Sequence, residues 1–149
     1  MRYVYILIAS ILYCGSASAQ ALKVRESKSS SVPETVERLV KAVEAKGLKV
    51  AARVDHAAGA KAAGLDMPPT EVVMFGNPKL GTPLMLANPE IAVDLPLKIV
   101  VWQAASGKVM IGYTSPDALK TRFEIKDKDA SFKAMNDALE GFAAEAAGQ

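Results

Sequence analysis

Residues 75–85 read Phe-Gly-Asn-Pro-Lys-Leu-Gly-Thr-Pro-Leu-Met and join two apolar elements through a bend rich in glycine and proline. Residues 71–76 are predicted to form a strand before the bend, and residues 83–87 a short helix behind it. Glycine lets a backbone come close to a ligand, and fixed turns hold polar side chains in place. The stretch therefore predicts an α/β connection with a ligand site at residues 75–82.

The bend is a candidate anion site. Thr82 is predicted to cap the short helix with Pro83 at its first position, which leaves a few backbone amides for a carboxylate, sulfate or phosphate. Asn77 could orient that ligand, while Gly76 and Gly81 are predicted to form the turns. The spacing Gly-x4-Gly matches the start of a phosphate-binding loop, but the lysine that such a loop requires is absent. The alternative is that these residues only shape a tight bend.

The elements on both sides of the bend predict one α/β (α+β) domain. Ser31-x-x-Glu34 is a capping box for a helix that ends at Gly47. Periodicity predicts further strands at 21–28, 48–54, 98–103 and 109–114, helices at 57–63, 116–123 and 130–146, and a short extended piece at 92–95. Helical crossovers followed by a hairpin favour two layers: a mixed sheet of about five strands, with a C-terminal antiparallel hairpin, covered by helices.

The first nineteen residues have the pattern of a signal peptide. Arg2 gives the positive start, residues 3–13 the apolar segment, and Ala17-Ser18-Ala19 a cleavage site. We expect export to the periplasm or secretion, with residues 20–149 as a single globular domain. Cys14 is the only cysteine, so the mature chain would have none. Acylation of Cys14 as a lipoprotein is the alternative, although Tyr13 is bulky where a small residue is expected.

The charge balance restricts the partners. The chain carries 18 basic and 16 acidic residues, a formal net charge of +2. Such a near-neutral domain lacks the basic surface of nucleic-acid and membrane-surface binders, so we expect neither partner after signal cleavage.

Five motifs stand in order along the chain: residues 55–64 (Asp-His-Ala-Ala-Gly-Ala-Lys-Ala-Ala-Gly), 69–71 (Pro-Thr-Glu), 75–78 (Phe-Gly-Asn-Pro), 81–85 (Gly-Thr-Pro-Leu-Met) and 94–98 (Asp-Leu-Pro-Leu-Lys). Together they resemble the domain-of-unknown-function family 302 (DUF302). The similarity runs from about Ser27 to Phe123, which leaves the helix at 130–146 at or beyond the end of the familiar core. The resemblance implies a small bacterial or archaeal α/β domain, a homodimer, and no settled activity.

His56 is the only histidine, so any histidine chemistry must use it. Asp55 is predicted to cap the helix that His56 begins, where the helix dipole favours a neutral imidazole. That ring could accept a proton or bind a metal, or it could be structural. Lys61, in the same helix, could bind an anionic group or be merely solvated.

Glu71 and Asp94 are the acidic candidates. Together they could form a carboxylate pair for proton transfer, depending on their separation. Glu71 could instead pair with Lys61, and Asp94 could fix a turn by accepting backbone amides.

Two functional hypotheses follow. The first is an exported binding or sensing module whose pocket gathers Asp55-His56, Lys61, Glu71 and the loop 75–82 around a small polar or anionic ligand. The second is a small periplasmic enzyme that uses His56 as general base for hydrolysis or isomerisation. Non-covalent haem or metal binding through His56 is a further alternative, and the sequence identifies no cofactor.

Overall fold

The computed structural model describes residues 21–149, so the expected signal peptide lies outside the described residues. The chain alternates strands and helices before it ends in two helices. In order the elements are β1 (Leu22–Glu26), α1 (Val32–Ala45), β2 (Lys49–Asp55), α2 (His56–Ala62), β3 (Thr70–Gly76), α3 (Pro78–Ala87), a 3-10 helix (Pro89–Asp94), β4 (Leu97–Gln103), β5 (Val109–Thr114), α4 (Pro116–Arg122) and α5 (Asp129–Ala147).

The described strands form one sheet in the order β1-β5-β4-β3-β2. The α/β class and the helical cover are confirmed, but the expectation of a mixed sheet is wrong, because every described pair is antiparallel. Helix α1 carries the chain from one edge strand, β1, to the other, β2, so it creates no parallel neighbours. Helix α2 joins two strands that pair as antiparallel neighbours, although a helical crossover suggested a parallel pair.

The inner face of the sheet packs against α1 and α5. Val73, Ile99 and Ile111 on the sheet and Leu39 and Leu139 on these helices are almost fully buried in one cluster. Alternation along the strands leaves an outer face whose central row crosses all five strands. This outer row consists of Val24, Gly112, Val100, Val72 and Val54, and none of its members belongs to either core cluster of the described residues.

Helix α1 begins where the capping box predicts. The Ser31 side chain accepts a hydrogen bond from the Glu34 amide at 3.3 Å, and Val36, Leu39 and Val43 are buried. The Glu34 carboxylate accepts from Ser29 Oγ at 2.7 Å, while the Ser31 amide donates to Ser29 Oγ at 3.1 Å. The hydrogen bond from the Glu34 amide to the Ser31 side chain is therefore formed as predicted. The Ser31 amide donates to Ser29 Oγ instead of to the Glu34 carboxylate.

Two local predictions are wrong. The bend after β3 is helical: α3 begins at Pro78 with Asn77 as N-cap, so Thr82 is not a cap and Pro83 lies inside the helix. Residues 92–95 are not extended, because the 3-10 helix runs to Asp94. In both places an Asn-Pro pair supplies the cap and the first helical residue, which starts a helix earlier than expected.

Helix α5 belongs to the core rather than beyond it. Its Phe132 and Met135 pack with Leu84 of α3 and Ile91 of the 3-10 helix in a second cluster. Its Phe142 meets Phe75 of β3 edge to face, with ring centroids 5.3 Å apart. The helix therefore holds both the sheet and α3, and the space between them is where the site lies.

Candidate functional site

A groove of about 1160 Å³ opens between α5, α3 and the end of the sheet where β2 starts and β3 stops. Its lining comes from four segments that are distant in sequence: residues 46–51, 75–85, 92–97 and 135–145. The antiparallel register brings the first two together, since Lys49 lies opposite Gly76. The groove is therefore a product of the tertiary fold and not of one loop.

Apolar side chains form the walls of the groove. Phe75 and Leu97 come from the sheet, Met85 from α3, and Ala138 and Phe142 from α5. The α5 residues recur at helical spacing, so one stripe of that helix faces the groove. Such walls favour a ligand with a substantial apolar part, because burial of apolar surface is the main favourable term in binding.

Gly141 lies on the same stripe and leaves the groove open. A Cβ atom built on it meets no heavy atom within 4 Å, so the space that a side chain would fill is empty. Gly76 has the opposite role, because a Cβ there would lie 3.3 Å from Cβ of Pro96. Glycine at position 76 permits this close approach of two walls. The predicted site residues Gly76, Asn77 and Gly81 all line the groove.

Charged side chains stand at the rim. Lys46, Lys49 and Lys79 line the groove together with Asp137 and Glu145. Lys133 forms an ion pair with Asp137 at 2.6 Å. Within residues 21–149 none of the three lysines has an ion-pair partner. The rim therefore carries an excess of positive charge over an apolar interior.

The expected anion site at free backbone amides is not formed. The Lys79 amide donates to Asn77 Oδ1 at 3.0 Å, and the amides of Leu80 and Gly81 donate to the Asn77 carbonyl at 2.9 and 3.0 Å. Pro78 has no amide hydrogen, and Thr82 is exposed inside α3. Asn77 therefore caps a helix whose first amides are already satisfied.

The expected common pocket of His56, Lys61, Glu71 and Asn77 is not formed. Asp55 lies opposite Glu71 at one end of the β2–β3 pair, and Lys49 lies opposite Gly76 at the other. At about 3.3 Å per residue, Glu71 and Gly76 are separated by roughly 17 Å along β3. The groove thus contains Asn77 but none of the other three residues.

Glu71 and Asp94 each have a basic partner, and these are not the expected ones. Arg53 donates from Nε to Glu71 at 2.6 Å and from Nη1 to Glu37 at 2.8 Å. These two hydrogen bonds hold the pKa of Arg53 well above its usual range. The Asp94 carboxylate accepts from Arg122 at 2.9 Å, so it joins α4 rather than fixing a turn. The possible Glu71–Lys61 ion pair is therefore not formed. The possible carboxylate pair of Glu71 and Asp94 is not formed either, because the β3–β4 register places Glu71 opposite Val101, well beyond Asp94 along the chain.

His56 is exposed at the start of α2. Asp55 caps this helix by accepting from the Ala58 amide at 2.9 Å, as predicted. Across residues 21–149 no hydrogen bond joins the imidazole to Asp55 or Glu71, and no three His, Cys, Asp or Glu side chains meet as a metal site would require. Lys61 is exposed in the last turn of the same helix.

The lysines of the rim and the open stripe of α5 were not predicted from the sequence. Lys46 and Lys49 frame Gly47, and Lys79 follows Pro78, which are ordinary positions for solvated lysines. Only the register and the packing of α5 bring them to one groove. The small residues Ala138 and Gly141 beside Phe142 were the available signal, because they recur at helical spacing on a face where larger residues are expected.

Comparisons with known proteins agree with this fold. The family described as "Domain of unknown function DUF302" matches residues 23–142, a range that includes most of α5. A crystal structure of an uncharacterized conserved DUF302 protein from Bacillus stearothermophilus superposes with a TM-score of 0.76 at 21% identity. The superposition covers 85% of this chain and 98% of the Bacillus stearothermophilus chain.

Two Brucella proteins are also similar in sequence. They are called fluoride-specific ion channel FluC 1, from Brucella suis biovar 1 (strain 1330) and Brucella abortus biovar 1 (strain 9-941), and each is 44% identical over 106 residues. The match covers 70% of this chain but only 42% and 39% of those proteins. None of the helices between residues 21 and 149 has the length and apolar character needed to cross a membrane.

Proposed function

We propose that this chain, which belongs to the DUF302 family, is an exported binding module that holds a small ligand in the groove between α3, α5 and the sheet. The observation that carries the proposal is the groove itself: about 1160 Å³ of open space lined by apolar residues that include Met85, Leu97 and Ala138. Small-molecule sites are typically concave, largely apolar and furnished with a few polar groups, and this groove has all three properties.

The groove favours a different ligand from the small polar or anionic one that the sequence suggested. A small polar ion would leave most of the apolar wall in contact with water and would gain little from it. A ligand that combines an apolar body with a polar end can contact both the apolar walls and the charged rim. Fluoride, the ion named for the Brucella relatives, is far too small for a groove of about 1160 Å³, so fluoride binding forms no part of the proposal.

Export and self-association complete the proposal. The pattern of residues 1–19 favours export, and a periplasmic or secreted module would meet ligands outside the cytoplasm.

A second copy of this chain is the partner that we propose for the outer row. That row is uncharged and extends to both edge strands, where Val24 and Val54 are 48% and 39% exposed. A two-fold axis would pack this apolar strip against itself.

Filling the groove tests the function directly. The neutral fluorophore N-phenyl-1-naphthylamine serves as the probe, because its binding depends on apolar space and not on the lysines. We expect saturable fluorescence enhancement with one site per chain. Gly141→Leu should weaken it at least about tenfold, since the added side chain occupies the groove.

The matched control is Gly59→Leu. Gly59 also lies inside a helix, and a Cβ atom on it also meets nothing within 4 Å, but it does not line the groove. This variant should bind the probe as the parent does. Circular dichroism would check that both variants stay folded. Absence of saturable binding, or equal binding by the two variants, would refute the groove as a ligand site.

A further inference from the structure

We propose that the ligand is a single-chain amphiphile with an anionic head, whose head is held by Lys46, Lys49 and Lys79 and whose chain lies along the apolar walls. The inference rests on the proposed function, because it names the ligand class of the same groove. It specifies the charge of the ligand and the direction in which the ligand lies in the groove, neither of which follows from the cavity volume alone.

Two turns bring the three lysines to one end of the sheet. Lys46 caps the C-terminus of α1 and Lys49 opens β2, so both belong to the connection between these elements. Lys49 lies opposite Gly76 in the register, and Lys79 stands three residues beyond Gly76 in the first turn of α3. All three lysines therefore line the groove at the end of the sheet where β2 starts and β3 stops.

The acidic lining residues offset only part of this charge. Lys133 already pairs with Asp137 at 2.6 Å. Glu145 is the other acidic residue of the lining, so it stands against the three lysines Lys46, Lys49 and Lys79. The three lysines have no ion-pair partner within residues 21–149. An anionic group on the ligand would supply the missing counter-charge.

The ammonium groups of the three lysines determine which anionic head groups the site can bind. The first amides of α3 are satisfied by Asn77, so the head would meet ammonium groups rather than a backbone cradle. Lysine acts as a mobile point charge without the planar fork of arginine. It therefore selects negative charge in general, and both a carboxylate and a phosphate monoester satisfy it. The half-buried wall residues Met85, Leu97 and Ala138 would contact the alkyl chain.

Displacement of N-phenyl-1-naphthylamine by four dodecyl compounds, each below its micellar concentration, tests the head group. The compounds are dodecanoate, dodecyl phosphate, neutral dodecanol and cationic dodecyltrimethylammonium. We expect the two anions to displace the probe at least about tenfold more effectively than dodecanol, and the cation to be the weakest. The advantage of the anions should shrink as salt is added, because the lysines are exposed.

The triple variant Lys46→Gln/Lys49→Gln/Lys79→Gln assigns the effect to these residues. At about threefold per lysine it should lose about thirtyfold in dodecanoate affinity while it keeps probe and dodecanol binding. The control triple Lys23→Gln/Lys41→Gln/Lys61→Gln removes the same charge from exposed lysines outside the groove. This control should retain at least a third of the parent affinity.

The outcomes separate the two proposals. Preference for dodecanoate would indicate a free fatty acid and preference for dodecyl phosphate a phosphorylated lipid, and either supports the inference. The head-group assignment is wrong if dodecanol displaces the probe as well as the anions do, or if the variant Lys46→Gln/Lys49→Gln/Lys79→Gln keeps full affinity for the anions. Binding of the probe to the parent protein would still support the groove as a ligand site in either case. Failure of the probe itself would remove the proposed function.

Discussion

The Nε atom of Arg53 donates a hydrogen bond of 2.6 Å to Glu71 across the β2–β3 pair, and Nη1 of the same guanidinium reaches Glu37 of α1 at 2.8 Å. One side chain thus joins an edge strand, its neighbour and the covering helix, at the end of the sheet that is far from the groove. Glu71 is only 9% exposed, so Arg53 offsets the cost of burying its carboxylate.

Arg53→Met should destabilise the fold by about 1–2 kcal/mol, because it leaves the Glu71 carboxylate nearly buried without its cation. Arg53 is itself partly exposed, which keeps the expected cost below that of a fully buried pair. Urea unfolding measures the change, and Arg53→Met/Glu71→Leu should recover part of the loss. A single variant as stable as the parent protein would contradict the role of the pair.

Tyr113→Phe should change the alkaline stability. Burial, with a hydrogen bond of 2.9 Å to Glu140, raises the pKa of Tyr113 to about 12. A raised pKa stabilises the fold fully below the unfolded value of about 10 and loses that effect as the pH rises toward 12. The stability advantage of the parent over Tyr113→Phe should therefore shrink between pH 10 and 12, as measured by urea unfolding. A constant difference across this range would contradict it.

Ser31→Ala should lower the free energy of unfolding by about 1 kcal/mol, since the Glu34 amide loses its acceptor at the start of α1. The melting temperature reports the change. Ser30→Ala is the matched control, because Ser30 is exposed next to the cap. Equal melting temperatures for the two variants would show that the cap contributes nothing.

His56→Gln should leave N-phenyl-1-naphthylamine binding unchanged and alter stability by less than about 0.5 kcal/mol. His56 is exposed, and the β2–β3 register places it at the opposite end of the strand pair from Gly76. Fluorescence titration and thermal unfolding measure both effects. A large loss of probe affinity would mean that His56 communicates with the groove after all.

Val100→Lys should turn the proposed dimer into a monomer, because it places a charge at the centre of the outer row. Light scattering during size-exclusion chromatography measures the mass. Val93→Lys, at a position that is 69% exposed on the 3-10 helix, should leave the mass unchanged. A chain that is monomeric at every concentration, or a dimer that survives Val100→Lys, would refute this surface.

The sequence predicted what local rules govern. The apolar periodicity of α1, the caps at Ser31 and Asp55 and the hairpin at residues 98–114 depend on neighbours in the chain, and the structure has them. The start of α3 was misplaced because Asn77-Pro78 and Thr82-Pro83 are both acceptable cap and first-turn pairs. In the structure the first pair starts the helix, with Asn77 accepting from the Lys79 amide.

The site could be predicted only in part. Asn77, Gly76 and Gly81 line the groove as the loop suggested, because they flank the end of a strand that had been recognised. The rest depended on strand order. An antiparallel β2–β3 pair sends His56 and Gly76 to opposite ends, whereas a parallel arrangement would have favoured the expected common hollow.

Helix α5 seals the hydrophobic interior through Leu139 and forms one wall of the groove through Phe142. Ligand binding at the proposed site would consequently stabilise the fold by mass action, since a ligand that binds only the folded chain raises its resistance to heat and to proteases. A fragment that stops after Phe123 lacks α5, so it would lose part of the hydrophobic core and one wall of the groove together. Folding and ligand binding at the proposed site would then be coupled equilibria.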